Sequence, residues 1–280
     1  MLGTKSPVRE LTMADRDQAL EVCARDIRTN VFVAARILEG ALVTSPGALL
    51  GYAGDSGLEA ICWASANLVP VECDDQALAA FATKLRRWRR QCSSVFGPAD
   101  VVLRLWERLR PTWGDPRDLR ACQPVLAFSG PLPAGLTCDP QVRRARFDEV
   151  DLVLPAAAAM FTEEIGYPPY WGSRQAYRQG IQSLIRQGHT FVRVDDGEVV
   201  FKADVGSVAL GVAQIQGVWV APRWRGQGLA GPAMAAVVAQ VQAEIADVVT
   251  LYVNDFNVPA RATYARVGFT QIGSFATVLM

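Results

Sequence analysis

The stretch from Ile215 to Met234, IQGVWVAPRWRGQGLAGPAM, permits few local structures. Val218, Trp219 and Val220 close an apolar run of strand character, and Pro222 ends it. Arg223 and Arg225 then alternate with Gly226 and Gly228, and the small-residue run beyond them reads as a helix. A chain that passes through glycines onto a helix N-terminus brings unpaired amides and the positive end of the helix dipole to one point. Such a point binds an anion.

GQGLAG (Gly226 to Gly231) satisfies G-x-G-x-x-G, and Asp247 lies downstream, as a dinucleotide fingerprint requires. That fingerprint joins the first strand of a long doubly wound sheet directly to its helix. Here a proline and two arginines intervene, and too little chain follows. A kinase-type phosphate loop fails because no Gly-Lys-Ser/Thr follows the glycines.

The pattern Arg223-x-x-Gly226-x-Gly228, preceded by Val220-Ala221-Pro222, instead resembles the pyrophosphate loop of the GCN5-related N-acetyltransferase (GNAT) family, Gln/Arg-x-x-Gly-x-Gly/Ala. NVPARATYARVGF (Asn257 to Phe269) is similar to that family's Asn-x-x-Ala…Tyr…Gly-Phe segment. The resemblance implies acetyl-CoA as cosubstrate, with its pyrophosphate at Arg223, Arg225, Gly226, Gln227, Gly228, Leu229 and Ala230. It implies that Val218 and Val220 offer backbone groups to the pantetheine arm, that Asn257 contacts the cofactor, and that Tyr264 is the general acid toward the leaving thiolate. Arg225 reads equally as a solvated side chain, Asn257 as a plain N-cap, and Tyr264 as a packed aromatic.

Acetyl transfer to an amine also needs a base, since a lysine-like ammonium has a pKa near ~10.4. The family's glutamate position on the strand before the loop is held by Gln214, which accepts no proton. Deprotonation through water to Glu163, Glu164, His189 or Asp204 is one alternative, and an acceptor that arrives neutral is the other. The segment MFTEEIGYPPYWG (Met160 to Gly172) is the expected acceptor wall, where Glu163, Glu164, Tyr167, Tyr170 and Trp171 suit a cationic amine or merely anchor a helix end.

The chain begins twice. PVRELTMADRDQAL (Pro7 to Leu20) and QVRRARFDEVDLVL (Gln141 to Leu154) both start a strand with Val-Arg and enter a helix through acidic residues. LEAICWASANLVPVE (Leu58 to Glu72) and GSVALGVAQIQGVWV (Gly206 to Val220) continue the parallel. SGPLPAGLTCDP (Ser129 to Pro140) reads as a linker. The expected organisation is a degenerate GNAT-like domain over 1–128, a linker over 129–140 and a GNAT domain over 141–280. The fold class is α/β, in the α+β sense of a mixed sheet with helices on its faces, in tandem copies of which the second is competent. Bacterial two-domain GNAT proteins with an N-terminal domain of unknown function are similar. In the first copy the cradle is replaced by Glu72, Asp74 and Asp75 without glycine, which repels a pyrophosphate.

Equal numbers of basic and acidic residues, 28 each, argue against nucleic-acid or membrane-surface partners. The start carries no signal-peptide pattern and no run reaches the ~20 apolar residues of a membrane span, so a cytoplasmic location is expected. A single histidine and six cysteines without metal-ligand spacing argue against a metal site. The expected activity is N-acetyl transfer to a primary amine by direct attack in a ternary complex, by a monomer or homodimer. The rival is a non-catalytic acyl-CoA-binding or interaction protein.

Overall fold

The computed structural model describes residues 7–54, 57–170 and 173–280. Two compact units emerge. The first runs up to Leu126 and adds Tyr252–Phe256 and Gln271–Met280; the second is Ala127–Leu251 with Asn257–Thr270.

The first unit contains β1 (Val8–Glu10), α1 (Arg16–Ala24), α2 (Ile27–Leu38), α3 (Ala41–Thr44), β2 (Leu49–Gly54), β3 (Gly57–Ala64), β4 (Asn67–Val71), α4 (Asp75–Leu85), β5 (Ser94–Pro98), α5 (Ala99–Trp113) and β6 (Asp118–Phe128). The second contains β7 (Arg143–Arg144), α6 (Val150–Ile165), α7 (Arg174–Arg186), β8 (Thr190–Asp195), β9 (Glu198–Ala209), β10 (Val212–Val220), α8 (Ala230–Glu244), β11 (Val248–Tyr252) and α9 (Val258–Val267). The last strand, β12 (Thr270–Leu279), pairs antiparallel with β5, Phe275 facing Pro98 and Leu279 facing Ser94. It completes the first unit's sheet, ordered β1-β2-β3-β4-β5-β12-β6. In that unit α5 turns Val102, Leu105, Trp106 and Leu109 inward at helical spacing, against Leu78, Phe81 and Leu85 of α4.

In the second unit the strand order is β11-β10-β9-β8-β7. β8, β9 and β10 form an antiparallel meander, and the Asp195-Asp196-Gly197 turn between β8 and β9 uses positive φ at Asp196 (47°) and Gly197 (74°). β10 and β11 run parallel, which requires α8 as their crossover. Among the described residues no helix is long and apolar enough to cross a membrane.

Both units open with the same device. Arg9 makes two bonds to Asp15, at 2.9 and 2.6 Å, and Asp15 accepts the Thr12 amide at 2.9 Å. Arg143 makes two bonds to Glu149, at 2.8 and 2.7 Å, and Glu149 accepts the Arg146 amide at 2.8 Å. In each case a carboxylate six residues after the strand arginine closes a capping box before the first helix.

The Arg143 guanidinium holds the Glu149 carboxyl down at about 2. A depressed carboxyl stabilises the fold above its unfolded pKa, and that contribution fades as pH falls from about 4.5 through about 2. Glu149→Gln should therefore lower stability at neutral pH by about 2 kcal/mol, allowing for screening at the exposed arginine. It should also flatten the melting-temperature profile between roughly pH 5 and 2. Parallel profiles for the two proteins would show that the pair contributes nothing.

Candidate functional site

The site is built on the far half of β10. Its register with β11 runs from Val212 opposite Val248 to Gln214 opposite Thr250. Beyond Gln214 the strand continues to Val220 paired with β9, and among the described residues no partner takes its other edge. Opposite β9 it bulges: Gln216 faces Asp204 and Trp219 faces Lys202, so Gly217 and Val218 stand against Ala203 alone.

After Val220 a single 3-10 turn, Pro222–Trp224, carries Arg223, and the cradle follows. Gly226 and Gly228 have φ of 74° and 78°, the left-handed region in which glycine is the residue of choice. Among the described residues a β-carbon at either position would meet no protein atom within 4 Å, so the space above them is open. Among the described residues no side chain caps α8, which begins after Leu229, so its first amides are open. Its counterparts differ. Asp74 caps α4 by accepting the Ala77 amide at 2.8 Å, and Asn257 caps α9 by accepting the Ala260 amide at 3.2 Å.

The arginines of the cradle are held by carboxylates. Arg223 lies 2.7 Å from Glu198. Arg225 bonds Glu163 at 2.7 Å and the Val220 carbonyl at 2.9 Å, and Glu163 also accepts the Trp219 indole N–H at 3.1 Å. Gln227 donates to the Arg223 carbonyl at 2.7 Å. Glu163, expected from the sequence on the acceptor side, and Arg225 of the glycine cradle are thus partners of each other, a pairing that separate motifs do not reveal. Beside the cradle lies a cavity of about 330 Å³ walled by Asp139, Arg193, Trp224, Gln227, Gly228 and Leu229.

Tyr264 is buried on α9, edge-on to Phe269 with centroids 5.8 Å apart. Burial, and then the charge of Glu164, push its hydroxyl pKa well above the usual phenol value, so the proton stays in place at working pH. Tyr167 packs edge-on against Phe161 at 5.9 Å, and Tyr170 against Tyr177 at 5.7 Å. Trp171 lies outside the described residues. Gln214 is buried at the fork where β10 and β11 part. The His189 pKa is lowered by burial and by Arg144, with Asp204 opposing.

Lys202 is the residue that motif reading passes over. It is fully buried, paired with Asp204, and lies within 3.5 Å of the Gly217 carbonyl. The signal was present in VVFKADV (Val199 to Val205), where two opposite charges at i and i+2 share one face of an otherwise apolar strand. Among the described residues no cluster of His, Cys, Asp and Glu is suited to a metal ion.

A mixed sheet whose parallel pair opens beside a bulged strand, with an uncapped helix behind a glycine cradle, defines the class as the GNAT fold. Residues 157–269 match the acetyltransferase (GNAT) family, and the chain carries a GNAT acetyltransferase domain there. Residues 47–153 match a domain of unknown function, DUF4081. Three solved structures share the fold over nearly the whole chain. An acetyltransferase of the GNAT family from Colwellia psychrerythraea is 13% identical with a TM-score of 0.57, covering 98% of this chain and 99% of its own. A GCN5-related N-acetyltransferase from Sphaerobacter thermophilus is 17% identical with a TM-score of 0.58, covering 97% and 95%. A tandem GNAT protein from the clavulanic acid biosynthesis pathway is 13% identical with a TM-score of 0.51, covering 97% and 98%. No curated protein matches the chain.

Proposed function

We propose that the second unit is an acetyl-CoA-dependent N-acetyltransferase acting on a primary amine, and that the first unit holds no cofactor. The observation that carries this reading is the uncapped N-terminus of α8 behind Gly226 and Gly228, at the end of a strand with a free edge. The cradle amides suit a pyrophosphate, and the free edge of Ile215 to Val220 suits the amides of a pantetheine arm added as an extra strand. In the first unit the corresponding turn is closed. Asp74 caps α4, Asp75 holds Arg104 and Arg108 at 3.1 and 2.9 Å, and Glu72 takes the Asn30 amide at 3.0 Å.

In the reaction the amine nitrogen bonds to the thioester carbon, the carbon–sulfur bond breaks, and the amine proton passes to a base. In this reading the Val218 amide, in the bulge of β10, meets charge developing on the carbonyl oxygen. In this reading Tyr264, its proton held by burial, protonates the departing sulfur. Gln214 cannot serve as base, and it alone favours the second reading, an acyl-CoA-binding protein without turnover.

Calorimetry with acetyl-CoA and thiol release over a panel of lysine peptides, polyamines and aminoglycosides separates the two readings. Binding with turnover of at least one amine supports the enzyme, whereas binding without turnover supports the second. Tyr264→Phe keeps the ring, so cofactor affinity should hold while turnover falls on the order of 10²-fold, less at higher pH where a thiolate leaves unaided. Weaker binding with unchanged turnover would place Tyr264 in the packing instead.

A further inference from the structure

We propose that the buried Lys202–Asp204 pair is a positioning device that sets the peptide of Gly217, and through it the Val218 amide, in the bulge of β10. This rests on the reading of Val218 as the carbonyl donor. Lys202 is 0% and Asp204 4% exposed, deeper than the other ion pairs around the site. Their side chains stand on one face of β9, opposite the bulge that sets Gly217 and Val218 against Ala203.

The contact is tight. A β-carbon on Gly217, whose φ is 60°, would lie 3.1 Å from the Asp204 carboxylate, 3.2 Å from Lys202 Nζ and 3.2 Å from the Met160 methyl. Both the backbone angle and the crowding therefore call for glycine. Lys202 Nζ, held by Asp204, stands 3.5 Å from the Gly217 carbonyl, at the outer limit of a hydrogen bond but strengthened by charge. A trans peptide points its carbonyl and the following N–H in opposite directions. Drawing the Gly217 carbonyl toward Lys202 thus turns the Val218 N–H away from the buried pair.

Stability does not account for the pair. Replacing a buried ion pair by apolar residues of similar volume is often neutral or stabilising. Among the described residues Asp204 Oδ1 has no hydrogen-bond partner, so protein groups do not fully satisfy the pair. His189 and Tyr177 also feel the Asp204 charge, so removing it without removing Lys202 disturbs more than the bulge.

The test uses the full chain with Lys202→Met and Asp204→Leu combined, and Asp204→Asn alone. For the double variant, melting temperature and acetyl-CoA affinity are expected near wild type, with kcat reduced about 10²-fold, the loss typical of a misaligned oxyanion donor, whereas Asp204→Asn, which leaves Lys202 buried without its partner, is expected to melt lower. Asp204→Asn, which keeps the shape, should lose about tenfold in kcat. Amide exchange of the peptide spanning 214–221 should accelerate in both variants. A double variant with wild-type kcat, or exchange unchanged in either, overturns the proposal, and so does wild-type kcat in Asp204→Asn if the double variant fails to fold. Absence of turnover by wild type with every amine would count against the function proposed above, and the exchange result then decides this inference by itself.

Discussion

Gly228→Val is expected to abolish acetyl-CoA binding while leaving the protein folded. Gly228 has φ of 78°, where a β-branched residue is strained by on the order of 1–3 kcal/mol. Its added β-carbon would touch no atom of the described residues within 4 Å, so loss of binding would come from the turned amides and from the space the phosphates need. Calorimetry should show affinity down by at least on the order of 10²-fold, about 2.7 kcal/mol, with a melting temperature within a few degrees of wild type. Wild type should bind one coenzyme A per chain and the variant none, because Asp74 already fills the helix mouth of the first unit. Unchanged affinity would show that the cradle is not the anion site. A second binding event surviving in the variant would show that Glu72, Asp74 and Asp75 do not exclude a cofactor.

The cradle was legible because every part of it is local. Gly226 and Gly228 mark left-handed backbone, Pro222 marks the strand end, and the small-residue run marks the helix, all within one short window. The shared opening of the two units was legible for the same reason, since Arg9 with Asp15 and Arg143 with Glu149 keep one spacing. Three features were not. Arg225 and Glu163 belong to separate motifs, and their ion pair exists only once α6 lies beside β10. The bulge at Gly217 depends on side chains of the neighbouring strand, and no periodicity of β10 itself announces it. The pairing of β12 with β5 joins residues distant in the chain, which alternation of apolar residues specifies only as a strand without naming its partner.

That last pairing gives the second large effect. Removing Gln271–Met280 is expected to unfold the first unit, although these residues stand at the other end of the chain. Ala276 and Val278 belong to the core that α4 and α5 cover, and Phe275 and Leu279 are buried as well. At about 1.5–3 kcal/mol for each large apolar side chain, the deletion forfeits roughly 5–8 kcal/mol. Thr277 donates to Gln123 at 2.6 Å, and Gln123, only 1% exposed, would lose that partner. β5 would lose the ladder from Ser94 to Pro98 and keep a bare apolar edge prone to pairing with other chains. Domain stability is typically about 5–15 kcal/mol, so a loss of this size consumes most or all of it. Near-ultraviolet circular dichroism should weaken, dye binding to exposed apolar surface should rise, and the protein should aggregate on concentration. A shortened chain that melts in one sharp transition near the wild-type temperature would mean that β12 is dispensable to the first unit's core.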